Sequence, residues 1–161
     1  MRLAEIIAAL AATPATVREL LASAEDVDWK PQPDNFSLRE NVCHLRDIDE
    51  LGYAQRVVRT LTEDNPSLPD VDGAQMAKAR GYATLPREPE LLAYERSRAA
   101  SVALLRTIDE SVLARTAELN TVGRVTLGEM LDRWLEHDRG HIDEMRALVS
   151  RTAECLASYG A

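Results

Sequence analysis

Cysteine, lysine, aromatic residues and long apolar runs are all scarce in this chain of 161 residues. Two cysteines, Cys43 and Cys155, cannot build a disulfide framework and are too few for a cysteine-based zinc site, so a reducing, cytoplasmic compartment is the default expectation. Phe, Trp and Tyr make up only 4% of the residues, which leaves Leu, Ile, Val and Ala to fill the core and suits helix packing better than a sheet. Lysine occurs only at Lys30 and Lys78, and the 19 basic residues are outnumbered by 27 acidic ones, giving a net charge of −8. With no Lys/Arg-rich run to override that average, a phosphate backbone would be repelled, and no nucleic-acid partner is expected. Glu5 interrupts the N-terminal apolar stretch, and no run approaches the roughly 18 apolar residues of a membrane span. The sequence therefore predicts neither a secretory leader nor a membrane partner.

The chain does hold a normal globular balance of 45% hydrophobic and 29% charged residues, at a length that suits one domain over 1–161. Leu3, Ile7, Leu10, Val17 and Leu21 keep one helical phase across Pro14. Thr13 can cap a helix restarted at Pro14, so the spacing predicts one kinked helix or two collinear pieces. Ser37-Leu38-Arg39-Glu40 is a capping box that opens a second helix, with Leu38, Val42, Leu45, Ile48 and Leu51 on one face. Its hydrophobic staple is missing, because Phe36 faces the polar Asn41. Residues 62–88, rich in Pro, Asp and Gly, are too long for a tight turn; they read as a crossover with a short helical turn near Ala74 to Ala79. Such a link lets helices two and three run parallel. Helix three starts near Pro89 and buries Leu91, Tyr94, Val102, Leu105 and Ile108, with Arg98 on the same face. Thr126-Leu127-Gly128-Glu129 caps helix four, whose stripe runs through Leu127, Met130, Leu131, Trp134, Ile142, Met145, Leu148 and Val149; beyond Arg151 the chain extends into a short helix or frays. The fold class is all-α, a four-helix bundle with a long crossover between helices two and three.

Two of the three histidines stand four apart in His137-Asp138-Arg139-Gly140-His141. Positions i and i+4 share a helix face, and two imidazoles so placed can each reach one metal at about 2.0–2.1 Å. They lie beside Trp134 and Met145, and the remaining His44 falls on the core side of helix two. The alternative is that all three are hydrogen-bonded core residues, since short motifs match by chance. Asp138 stands where zincins carry a glutamate, but is one methylene shorter. It reads equally as an acceptor that orients a ligand imidazole and as a solvated surface charge. Asp47 and Glu40, one turn from His44, are candidates to support its ring from behind, with solvated surface charges as the default reading, and Cys43 reads as pointing away from the histidine face.

These segments resemble the DinB-like (DinB/YfiT-like) metalloenzyme family. Trp29 to Pro33, Phe36-Ser37-Leu38-Arg39-Glu40 and Val42-Cys43-His44-Leu45 are similar to one family segment. Leu127 to Leu131, His137-Asp138 and His141-Ile142 are similar to another, and the Thr13-Pro14 step fits as well. Phe36 stands where Trp is commoner, a conservative departure that leaves the histidines untouched. The resemblance implies a bundle with His44, His137 and His141 as ligands of a divalent ion, zinc or nickel, and frequent homodimers. It also implies, as one activity among several in the family, thiol-dependent transfer with a low-molecular-weight thiol and a small electrophile as partners, in detoxification or stress response. Arg98 would then either hold a carboxylate of the thiol or substrate, or pair with an acidic core neighbour, as buried arginines usually do. The competing functions are a metallohydrolase that activates water at the metal with Asp138 as base, and a non-enzymatic metal-binding bundle.

Overall fold

The computed structural model describes residues 3–159, with side chains as far as Arg151. Cys155, for which the sequence suggests no role, lies outside those side chains. The order of elements is α1 (Leu3–Ser23), α2 (Leu38–Asp47), a π-helical segment (Ile48–Ala54), α3 (Gln55–Thr62), β1 (Ser67–Leu68), α4 (Gly73–Arg80), α5 (Arg87–Leu105), β2 (Thr116–Leu119), β3 (Gly123–Thr126) and α6 (Leu127–Tyr159), with 3₁₀ turns at Tyr82–Thr84 and Glu110–Ala114. Both capping boxes form. Ser37 Oγ accepts from Glu40 N while the Glu40 carboxylate accepts from Ser37 N, and Thr126 and Glu129 exchange the same pair of bonds.

Contacts between helices fix their directions. Arg39 reaches the Leu85 carbonyl, Arg46 meets Glu90, and Asp49 meets Arg98 and Ser101, so α2 and α5 run parallel as the crossover predicts. Asn41 contacts His141, and Tyr53 Oη donates to the Arg133 carbonyl, so α6 runs antiparallel to α2. Leu10 and Arg18 of α1 meet Arg98 and Glu95 of α5 in reverse order, which leaves α1 parallel to α6. Helix α1 is one continuous helix, and its 18-residue mean hydropathy of 1.3 makes it long and apolar enough to cross a membrane by composition alone. Its buried face, Leu3, Ile6, Leu10, Val17 and Leu21, packs into the bundle core instead. Thr13 does not cap a new helix; its hydroxyl donates to the Ala9 carbonyl. Pro14 has no N–H, so the Leu10 carbonyl loses its partner within the helix, and the buried guanidinium of Arg98 donates to it at 3.1 Å.

Three further features depart from the sequence reading. The π-helical segment shifts the phase of the second helix, so Leu51 is exposed while Gly52 and Tyr53 turn inward. Helix α5 stops at Leu105, and Ile108 packs against the core from the loop beyond it. Residues 67–68 and 116–126 form a small sheet in the order β1-β2-β3, parallel between β1 and β2 (Ser67 opposite Glu118) and antiparallel between β2 and β3 (Thr116 opposite Thr126). Its inward residues Leu68, Ala117, Leu119 and Val125 extend the core, and Gly123, at φ 86°, supplies the left-handed turn of the hairpin.

Candidate metal centre

His44 is buried on α2, and His137 and His141 stand partly buried on the facing side of α6, one helical turn apart. The structure brings all three together. Ring centroids are 4.5 Å apart for His137 and His141, 4.6 Å for His44 and His141, and 5.2 Å for His44 and His137. One nitrogen from each ring lies within 4.8 Å of the others, and His44 Nε2 stands 3.1 Å from His137 Nε2. Nitrogens bound tetrahedrally at about 2.0–2.1 Å to one ion sit about 3.3 Å apart. Two Nε2 atoms at 3.1 Å repel through their lone pairs unless a proton or a cation lies between them, so the residues fit a shared metal ion.

Electrostatics favour the same use. Burial, reinforced by the two neighbouring histidines, pushes His44 down to about 3. Burial also lowers His137, against the opposing pull of Asp138. These rings are therefore neutral at physiological pH, the form that ligates. His141 Nδ1 lies 2.7 Å from Asn41 Oδ1, whereas the Nδ1 atoms of His44 and His137 are buried without a hydrogen-bond partner among the described residues.

The supporting residues sort differently from the sequence reading. Asp138 is no solvated charge. It is 2% exposed and takes Arg98 Nη1 at 2.5 Å and Nη2 at 3.2 Å, while its Oδ1 stands 3.7 Å from His137 Nδ1, beyond hydrogen-bond length. Burial opposes its ionisation, but His137 and Arg98 outweigh that and hold the carboxyl below its ordinary range. Facing Arg98 and not the open side of the histidines, it is badly placed to act as a base on water. Arg98 is 1% exposed and is spent on Asp138, on Asp49 at 3.0 Å and on Leu10, between the rings of Tyr94 and Trp134. The core-pairing role is the one it fills, and it is closed to a substrate carboxylate. Asp47 is fully buried and takes Arg46, Arg80 and Tyr82, and Glu40 takes Lys30, so both are engaged away from His44. Cys43 is sealed in the core, where burial pushes its thiol up to about 11. Phe36 does touch the site, with its ring centroid 5.1 Å from that of His44 and 6.4 Å from that of His141.

The histidines open onto a cavity of about 440 Å³ whose other walls include Ile48, Tyr53, Arg56, Asp70, Val71 and Thr121. The small sheet places part of this wall. Asp70 follows β1, Thr121 sits in the β2–β3 turn, and the Thr121 hydroxyl donates to Asp70 Oδ1 at 3.2 Å. Arg56, over the ring of Tyr53 at 5.6 Å, donates to the Pro69 carbonyl. The sequence pattern did not single out Arg56, Asp70, Thr121 or Tyr53. Asn41 did leave a signal, a polar residue where a staple needs an apolar one.

Gly73 opens α4 directly against His44. A Cβ at Gly73 would lie 2.4 Å from His44 Cε1 and 2.9 Å from Nδ1. Alanine is about 1 kcal/mol better than glycine within a helix. A loss of metal affinity in Gly73→Ala is therefore steric, and we expect about tenfold or more in titrations with zinc, at unchanged helix content. Equal affinity would mean that the ring can yield.

A helical bundle that turns three imidazoles from two facing helices towards one point defines a class of bundles with a candidate three-histidine metal site. Within that class the chain belongs to the DinB superfamily, which it matches over residues 4–145. It is 24% identical over 127 residues to "Putative metal-dependent hydrolase OB0782" of Oceanobacillus iheyensis, covering 79% of this chain and 73% of that protein. Its fold is similar to that of YfiT from Bacillus subtilis, described as "a probable metal-dependent hydrolase with an unusual four-helix bundle topology", with a TM-score of 0.82 and 21% identity over 97% of this chain and 88% of the other.

Proposed function

We propose that this protein is a divalent-metal enzyme, with zinc or nickel held by His44, His137 and His141, that transfers a low-molecular-weight thiol to a small electrophile. The observation that supports this is the ligand set: imidazoles, two of them held neutral by burial, facing a cavity from which Asp138 is turned away. An ion held by neutral ligands keeps its positive charge and lowers the pKa of a thiol or a water at its open position. The cavity walls then do the rest. Ile48 and Val71 offer apolar contact to the electrophile, and Arg56 and Asp70 offer opposite charges to the ends of a zwitterionic thiol. A reducing cytoplasm would keep such a thiol available.

Hydrolysis is the second reading, favoured by Asp70, the carboxylate among the cavity's lining residues and the natural base for a water there. Metal-reconstituted protein separates the two. In the transfer reading, thiol and a chromogenic alkylating electrophile are consumed together: the thiol proton goes to solvent, the S–C bond forms as the bond from carbon to the leaving group breaks, the chromogenic leaving group departs with that electron pair, and Asp70→Asn changes the rate by only a few-fold. Turnover of chromogenic esters or amides without thiol, falling about 10²-fold or more in Asp70→Asn, would establish hydrolysis instead.

A further inference from the structure

Of the three rings, His141 alone has its inner nitrogen engaged, and the engagement carries chemical information. Asn41 is fully buried on α2. Its Nδ2 donates to the Ser37 carbonyl at 3.0 Å, and its Oδ1 stands 2.7 Å from His141 Nδ1, well inside the 3.5 Å at which Glu144 Oε2 approaches the same nitrogen. A carbonyl can only accept, so Ser37 decides which end of the amide is nitrogen, and the end facing His141 must be oxygen. An amide oxygen also only accepts, so the hydrogen of that contact belongs to His141 Nδ1. The Ser37 carbonyl is itself fixed by the first turn of α2, where it accepts Asn41 N at 2.9 Å and where the capping box with Glu40 sets its angle.

We propose that Asn41 is a positioning residue that holds His141 as the Nδ1–H tautomer, with its Nε2 lone pair directed at the point the three rings share. This rests on the reading that those rings hold a metal, and it assigns a part to a residue outside the ligand set. His44 and His137 have no equivalent partner. His141 is therefore the ligand that is prepared before any ion arrives, and the N-terminal cap of α2 is what prepares it. Acceptors behind metal-bound histidines commonly change affinity by about 10–100-fold when removed.

The test reads the tautomer directly, in full-length metal-free protein with ¹⁵N-labelled histidine, from two-bond ¹H–¹⁵N correlation spectra near pH 8. Wild type should show His141 protonated at Nδ1. Asn41→Leu, or Asn41→Ala if leucine does not fold, should shift His141 towards the Nε2–H form that free imidazole prefers, and should weaken zinc binding about 10–100-fold. Asn41→Asp keeps an acceptor in place and should keep Nδ1 protonated. A wild-type His141 protonated at Nε2, or a tautomer unmoved in a folded leucine or alanine variant, would overturn the proposal. Because the tautomer is read without metal, the two ideas fail separately: a shifted tautomer in a protein that takes up no zinc would overturn the metal reading and uphold this one.

Discussion

Replacing Arg98 by methionine should cost the fold about 3–5 kcal/mol, a large part of the 5–15 kcal/mol that a domain of this size has in total. The reason is what stays behind. Asp49 and Asp138 are both essentially inaccessible, and Arg98 is the cation that compensates them. Its removal also leaves the Leu10 carbonyl, already deprived of a donor by Pro14, with no partner, at about 1–3 kcal/mol. Urea unfolding should show a lower midpoint at an unchanged slope. In the variant both carboxyls must sit with raised pKa values. Such groups contribute stability that is fully present below the unfolded value near 4 and lost as pH rises through the folded one. The deficit relative to wild type should thus shrink as pH falls towards about 4. Combining Arg98→Met with Asp49→Asn and Asp138→Asn should recover much of the loss, because no uncompensated charge remains. A single variant as stable as wild type at pH 7 would show that water reaches the site and screens it.

How much of this could be read from the chain depends on the range of the interaction. Capping boxes are local, and both were legible at Ser37-Glu40 and Thr126-Glu129. The pairing of His137 with His141 and the inward placing of His44 were legible from spacing, because long amphipathic helices keep their phase, whereas the convergence of the three was implied only by the family resemblance. That phase failed where the helix itself changed: the π-helical segment adds a residue to the turn, so Tyr53 and not Leu51 faces Trp134 and His137. The small sheet was invisible for another reason. Strands of two to four residues leave no periodicity, and the pairing of Ser67 with Glu118 joins residues far apart in sequence. With the sheet went Asp70 and Thr121, half the polar wall of the cavity. Arg98 shows the opposite limit. Its burial was readable from the helix face, but its partners come from three other elements, and the open acceptor it satisfies on α1 exists only because Pro14 follows Leu10 by four residues on the same helix.

Zinc or nickel should stabilise the protein by about 4 kcal/mol at a thousandfold excess over its dissociation constant, and His137→Ala/His141→Ala should abolish the gain. The size follows from linkage, since an ion that binds the assembled histidines and not the unfolded chain adds its binding free energy to folding. Two of them, His44 and His137, set a pH dependence whose sign can be worked out. Held neutral in the fold, with His44 down to about 3 and His137 also lowered, they have ordinary values near 6.5 when unfolded. Above pH 6.5 neither state takes up protons and these groups contribute no slope. Below it the unfolded chain gains protons that the fold refuses, so stability falls as pH falls, and His44 alone accounts for about 2 kcal/mol by pH 5. Carboxylates begin to add their own share near pH 4–5, and Asp138, held below its ordinary range, keeps its pairing with Arg98 to lower pH still. The interval from about pH 6.5 to 5 therefore belongs to the histidines. Thermal melts across that interval, with chelator and with zinc, should show a falling midpoint for the metal-free protein and a zinc gain that persists, because His44 and His137 are already neutral in the fold and no proton has to leave them for the ion to bind. In His44→Leu the metal-free slope should flatten. A metal-free midpoint constant from pH 8 to 5, together with no shift on adding zinc or nickel, would mean that the three rings are packing residues and that the enzyme reading has lost its foundation.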